Sequence, residues 1–505
     1  MSSGARMNQI LRQGIVSIKN QTQLIAYPDS LGGNLKTLNE LLLKHFADIF
    51  KGGIHILPPF PSSGDRGFAP LTYMEIEPTF GTWEDVRRIG ENFDILVDLM
   101  VNHISQRSLY FQDFIKRGRK SAYADLFITL DKIWPDGNPP QSDVARIFLR
   151  KPDNPFSTVT IEETGQVERI WTSFGTKDWS EQIDLDVHSE ATRKLLTEYL
   201  AHFSQQQIKI VRLDAVGYVI KKPGTSCFMV EPEIYEFIDW IIGVAQSFGL
   251  ELLPEVHDHF SVQLKLAEHG YWVYDFVLPM LILYTLLNKS SGKLRDYLKI
   301  CPRRQFTMLD CHDGIPVQPD LDDILETEES RQIVEMCLRR GANLNRILSD
   351  QHKSHADFDV HQINCTYYSA LGCNDDAYLA ARAIQFFAPG VPQVYYVGLL
   401  AGQNDQTGVQ QTGEGRAINR HNYSVQEVDQ AVQTPIVQRL LRLIRFRNES
   451  PAFNGDFRVL DSNDSELVLV WQKADKMCRL NVDLNSYQAV IAYTDDTGEM
   501  AEYKV

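Results

Sequence analysis

Short apolar runs alternate with amphipathic stretches along most of this chain. Runs at 24–27, 53–58, 95–101, 208–214, 250–255, 273–277, 306–309 and 393–397 have the length and near-continuous apolar content of strands buried on both faces. Between several of them lie stretches with helical spacing, at 35–50, 83–92, 190–206, 232–248 and 377–387. Eight strand–helix units predict an α/β fold, a (β/α)8 TIM barrel, whose chemistry sits at the C-terminal strand ends. Two gaps are too long for a crossover helix: about a hundred residues between strands three and four, and about eighty between strands seven and eight. Each predicts an inserted subdomain over the catalytic face. After 454 the pattern changes to short alternating runs, at 457–460, 466–472, 478–483 and 489–493, which predict a C-terminal antiparallel β domain. The expected division is an extension at 1–21, a barrel built from 22–105, 188–314 and 372–454, insertions at 106–187 and 315–371, and the β domain at 455–505.

Composition narrows the function. The chain has 505 residues, 43% of them hydrophobic, enough for a core larger than one ordinary domain. Its formal net charge is −16, which argues against a nucleic-acid partner. An anionic small molecule would have to be met by a local cluster of cations, because the overall field opposes it. Seven cysteines occur without a C-x-x-C pair, so reduced thiols and a cytoplasmic location are expected. Residues 1–20 lack an apolar core of signal-peptide length, and no run approaches a membrane span, so no membrane partner is expected.

Three carboxylates end three of the strand-like runs: Asp214 after Ile210-Val211-Arg212-Leu213, Glu255 after Leu252-Leu253-Pro254, and Asp313 after Met308-Leu309-Asp310-Cys311-His312. An acid at the end of a buried parallel strand costs desolvation energy, and packing gives no return for it. Two carboxylates facing one sugar bond are what glycosyl transfer needs, one as nucleophile and one as proton donor. A third can hold the sugar and strengthen the field at a developing oxocarbenium ion.

The motifs around these acids resemble the α-amylase superfamily of retaining glycoside enzymes. Asp98-Leu99-Met100-Val101-Asn102-His103 is similar to its third-strand motif, and the three carboxylate runs to its fourth, fifth and seventh. The resemblance narrows to the sucrose phosphorylase group through Tyr27-Pro28-Asp29-Ser30-Leu31-Gly32-Gly33, His55-Ile56-Leu57-Pro58-Pro59-Phe60, 212–218, 387–396 and Gly415-Arg416-Ala417-Ile418-Asn419-Arg420-His421. The second insertion carries the acceptor loop Phe358-Asp359-Val360-His361-Gln362-Ile363-Asn364. Sucrose phosphorylases have Leu-Tyr where this chain has Val360-His361, and Val-His is the form of relatives acting on sucrose 6′-phosphate. Those relatives also resemble the chain at 100–107, 148–151 and 217–222.

The resemblance implies a glycosyltransferase of the hexosyltransferase kind. It would convert sucrose 6′-phosphate and inorganic phosphate to α-D-glucose 1-phosphate and fructose 6-phosphate by double displacement. Plain sucrose, a glucosylated polyol or acid, and a hydrolase or transglucosylase are the alternatives. By the same resemblance Asp214 is the nucleophile, Glu255 the acid/base and Asp313 the transition-state stabiliser. Glucose contacts carry over to Asp65, Phe68, His103 and Phe174, and to Gln182, Arg212, His312 and Arg420, with an Asp65–Arg420 pair closing the subsite. The acceptor wall carries over to Tyr218, Asp359 and Gln362, joined by Phe174. Arg150, Lys151, Lys353 and His361 are the cations expected near a sugar phosphate. The mechanism requires no metal and no other cofactor. Asp98 is expected to support the site without touching sugar. Pro254, beside Glu255, departs from the family's aliphatic residue and removes a ladder donor from the fifth strand.

Overall fold

The structure, a computed structural model, describes residues 18–152, 154–175, 182–348 and 358–505, apart from the side chain of Asp65. The chain divides into two compact units. One is mainly Ile56–Val256, and the other joins Lys19–His55, His257–Arg346 and Ser354–Val505.

In the first unit, strand β3 (Ile95–Met100) pairs in parallel with β8 (Ile210–Asp214), and β8 with β9 (Glu251–Pro254). All of β3 and β9, and β8 up to Asp214, are buried, as a sheet covered on both faces requires. Helices Glu190–Gln205 and Glu233–Ser247 make the crossovers that parallel pairing needs. The long segment between β3 and β8 carries two antiparallel pairs. Short strands β4 (His103–Ser105) and β7 (Gln182–Asp184) face each other, and β5 (Phe156–Thr160) forms a hairpin with β6 (Val167–Trp171). Trp134 and Trp171 stack at 5.9 Å inside this insertion.

In the second unit the sheet order is β10 (Val273–Asp275), β11 (Gln305–Thr307), β15 (Val391–Tyr395), β1 (Gln23–Ala26) and β2 (Gly53–Ile56). The eight parallel strands with their intervening helices make the fold a (β/α)8 barrel. Between β11 and β15 lies a separate sheet of β12 (Ile315–Pro316), β14 (Val360–Asn364) and β13 (Asn343–Arg346). The acceptor loop expected at 358–364 is therefore largely a strand. Its backbone groups pair on both sides, with Ile363 opposite both Ile315 and Leu344. The chain closes in a five-stranded antiparallel meander, from β16 (Asp456–Leu460) to β20 (Met500–Lys504). Among the described residues no helix is long and apolar enough to cross a membrane.

Candidate active site

Strands β8 and β9 end side by side. Their register pairs Leu213 with Pro254, so Asp214 and Glu255 stand one step further on, on neighbouring strands about 4.8 Å apart. Arg212 holds both acids. One terminal nitrogen donates to Asp214 at 2.8 Å and to Asp98 at 2.5 Å, and the other lies 3.1 Å from Glu255. Because both acids grip one planar guanidinium, their nearest oxygens lie within about 9 Å, inside the span over which two carboxyl groups serve one glycosidic bond. Glu255 is fixed a second time by the backbone N–H of Ala215, which donates to its Oε2 at 3.0 Å. Ala215 adopts a left-handed conformation (φ 53°), unusual for a residue with a Cβ, and this turn aims its amide at Glu255.

Pro254 causes no loss in this ladder. The N–H groups of Glu251 and Glu255 donate to the carbonyls of Lys209 and Leu213 on the β8 side. Donors alternate along a parallel strand, so residue 254 is out of phase with them and its missing N–H falls on the opposite side.

Three carboxylates around one guanidinium leave excess negative charge in a buried place. Burial pushes the Asp214 carboxyl well above the ordinary carboxylate range; Arg212 opposes this, and the charges of Glu255 and Asp98 add to it.

The remaining residues expected in this unit surround two points. His103 Nε2 lies 2.9 Å from the Phe68 carbonyl, and Gln182 donates to the same oxygen at 3.2 Å. The Phe68 ring lies under Arg212, 5.8 Å from the guanidinium carbon. Phe174 packs against His103 at 5.3 Å and Tyr218 at 5.0 Å, with the Arg150 guanidinium 5.9 Å from its ring centre. Lys151 has a different setting: it is buried, and its ammonium donates to Thr172 at 2.6 Å and Ser157 at 3.4 Å. Lys221 has the same character, held by Asn102 at 2.9 Å, Asp184 at 2.8 Å and the Tyr218 carbonyl. It ties the turn after Asp214 to the β4–β7 pair that carries His103 and Gln182.

In the second unit, Asp313 follows β11 and is ringed by cations. Arg416 lies 2.8 Å from its carboxylate, His312 3.7 Å and Arg420 3.9 Å. Burial acts to raise this carboxyl, but Arg416, His312, Arg420 and His257 outweigh it and hold Asp313 well below its ordinary range. Arg420 also donates to the His312 carbonyl at 2.9 Å, and Asn419 to those of Cys311 and Asp313 at 3.2 and 2.9 Å. The same loop is anchored from beneath, where fully buried Arg382 donates to both oxygens of Asp310 at 2.7 and 2.8 Å. A Cβ on Gly398 would lie 2.1 Å from both partners, so glycine is required there. Arg382→Met strands the Asp310 charge and is expected to cost about 3–5 kcal/mol in chemical denaturation, with Arg382→Met/Asp310→Asn recovering part of the loss.

A family model for the α-amylase catalytic domain matches residues 19–260. Sucrose 6(F)-phosphate phosphorylase of Thermoanaerobacterium thermosaccharolyticum is 63% identical over 97% of this chain and 100% of its own length. The chain belongs to the sucrose phosphorylase group of the α-amylase family. A crystal structure of sucrose 6F-phosphate phosphorylase from Thermoanaerobacter thermosaccharolyticum matches with a TM-score of 0.95 at 62% identity, covering 97% of this chain and 99% of that one. Glucosylglycerol phosphorylase of Marinobacter adhaerens is 45% identical over 95% of this chain and 98% of its own.

Within this sucrose phosphorylase group member, β14 sorts its side chains by strand alternation. Buried His361 has Nδ1 2.7 Å from the Gln318 carbonyl, and its ring lies 6.0 Å from that of His257. Gln362 faces the other way, where its Oε1 accepts from Asn345 at 3.3 Å and Arg416 at 3.4 Å. Asp359, just before the strand, is ion-paired with Arg346. Lys353 and the Asp65 side chain lie outside the described residues. Two residues were not singled out from the sequence. Arg416 stands four before Arg420 in an already notable run. His257, two beyond Glu255, stacks on Phe276 at 3.7 Å and lies 3.6 Å from Asp320.

Proposed function

We propose that this chain is a retaining glucosyl phosphorylase that converts sucrose 6′-phosphate and inorganic phosphate to α-D-glucose 1-phosphate and fructose 6-phosphate. The observation that carries the chemistry is the Asp214–Arg212–Glu255 arrangement at the ends of two adjacent parallel strands. Asp214 attacks the anomeric carbon, the bond to the fructosyl oxygen breaks, and that oxygen takes the proton of Glu255. This step needs a proton on Glu255. With Glu255 protonated, one of the charges opposing Asp214 is gone, and Arg212 favours the ionised nucleophile. A phosphate oxygen then attacks the β-glucosyl-enzyme, Glu255 takes back a proton, and Asp214 is released. Two inversions give net retention. Asp313, kept ionised by its ring of cations, suits the role of holding sugar hydroxyls.

The phosphorylated donor rests on the Val360-His361 form of β14 and on the 63% identical relative. The carbonyl of Gln318 fixes the proton of His361 on Nδ1, so Nε2 donates to a phosphate only in the imidazolium form. Arg150 adds a permanent charge beside the Phe174–Tyr218 pair. The seven free thiols accord with a cytoplasmic location.

Saturation curves for sucrose and sucrose 6′-phosphate, run side by side in phosphate buffer, test the substrate. A clear preference for the phosphorylated donor is expected in the wild type. Arg150→Ala and His361→Ala should each reduce that preference about 10- to 100-fold, the loss of one charge-assisted contact, with little change on sucrose. An unchanged preference in both variants would remove these residues from the phosphate site. Equal turnover of both donors by the wild type would favour a plain sucrose phosphorylase.

A further inference from the structure

The segment Gly415–Asn419 and the following Arg420 touch two structures that the proposed reaction uses separately. On one side Asn419 and Arg420 take three successive carbonyls of the Asp313 loop. On the other, Asn343 of β13 donates to the Gly415 carbonyl at 2.9 Å, and a Cβ on Gly415 would lie 2.6 Å from its Oδ1. The Asp313 loop also lies directly on β14: a Cβ on Gly314 would meet Asn364 Oδ1 at 2.7 Å and Gln362 Cβ at 2.8 Å. Arg416 bridges these two contacts. One guanidinium nitrogen is 2.8 Å from Asp313 Oδ1, and the other donates to Gln362 Oε1 at 3.4 Å. The pair is not a solvated surface bridge, since Asp313 is 12% and Arg416 25% exposed.

We propose that Arg416 is a positioning residue that sets the Asp313 carboxylate and ties it to acceptor strand β14. The inference rests on the reading of Asp313 as a sugar-holding acid. Arg416 is the nearest of the cations around that acid, the others being Arg420 and His312 on flanking segments and His257. Its guanidinium reaches two acceptors at fixed angles, which a lysine ammonium on a flexible stem does not reproduce. A change at the acceptor strand thus reaches the donor-side acid through one side chain.

The test is the pH dependence of kcat/KM for wild type, Arg416→Gln and Arg416→Lys, on sucrose 6′-phosphate and on α-D-glucosyl fluoride. Fluoride leaves without a proton, so the second donor reports on glucosylation apart from acid catalysis and from the sugar phosphate. Arg416→Gln is expected to lose about 10- to 100-fold in kcat/KM. Its acid limb should move to higher pH, because removing a cation makes Asp313 harder to ionise. Arg416→Lys should keep the acid limb in place. In the lysine background Gln362→Met should cost less in kcat/KM than it does in the wild type, since only arginine links the two. Should Arg416→Gln fail to fold, that cycle decides. An unmoved acid limb in a folded Arg416→Gln, or additive losses in the cycle, would overturn the inference. If the wild type consumes only the fluoride, the substrate reading fails and the same outcomes on the fluoride judge Arg416.

Discussion

Asp214→Asn should lose phosphorolysis by about 10⁴-fold or more in kcat, because an amide does not attack the anomeric carbon and no other group replaces it. The fold should not suffer. Burial and the charges of Glu255 and Asp98 raise the Asp214 carboxyl, so the folded chain favours its neutral form. A carboxyl raised on folding contributes stability at low pH, and that contribution is lost as pH rises through the folded-state value. An ionised Asp214 is therefore a burden on the fold that asparagine removes. The variant is expected to unfold at a temperature equal to or above that of the wild type while being nearly inactive. An inactive variant with a much lower unfolding temperature would mean that Asp214 serves the architecture. One with native turnover would remove it from the chemistry.

Glu255→Gln separates the two half-reactions. Without a proton donor, turnover of sucrose 6′-phosphate should fall about 10³-fold. α-D-Glucosyl fluoride should still glucosylate Asp214. Its removal by water then lacks a base, so without phosphate a covalent glucosyl-enzyme should accumulate and be seen as one added hexosyl mass on the intact protein. Equal losses on both donors, with no adduct, would place the acid/base elsewhere.

The barrel was readable because parallel strands buried on both faces write themselves as apolar runs. The third run, expected at 95–101, is Ile95–Met100, and the fifth, expected at 250–255, is Glu251–Pro254. The eighth was displaced: 393–397 was expected and Val391–Tyr395 found, because the apolar text continues into a helical turn at Tyr396–Leu399 that periodicity does not separate from a strand. The insertions were less legible. The β5–β6 hairpin alternates polar and apolar residues over only five positions on each side, amid turn-rich text. The strand β20 was missed because it is an edge strand with three exposed residues among five. At the site, the strand-end acids announced themselves through their desolvation cost. Arg416 did not, since an arginine at the start of a short helical turn looks solvated until its ion pair with Asp313 is seen, about a hundred residues away in sequence. Lys151, expected from the sequence near a sugar phosphate, has its ammonium between the hydroxyls of Ser157 and Thr172, a setting that a basic pair in a loop does not announce.

Two acids on one arginine, acting by two successive displacements, predict a definite product. Wild-type enzyme given sucrose 6′-phosphate and inorganic phosphate, followed by NMR from the first turnovers, should release glucose 1-phosphate as the α anomer, with free glucose a minor product. The β anomer appearing first, or free glucose forming at the same rate with and without phosphate, would contradict it.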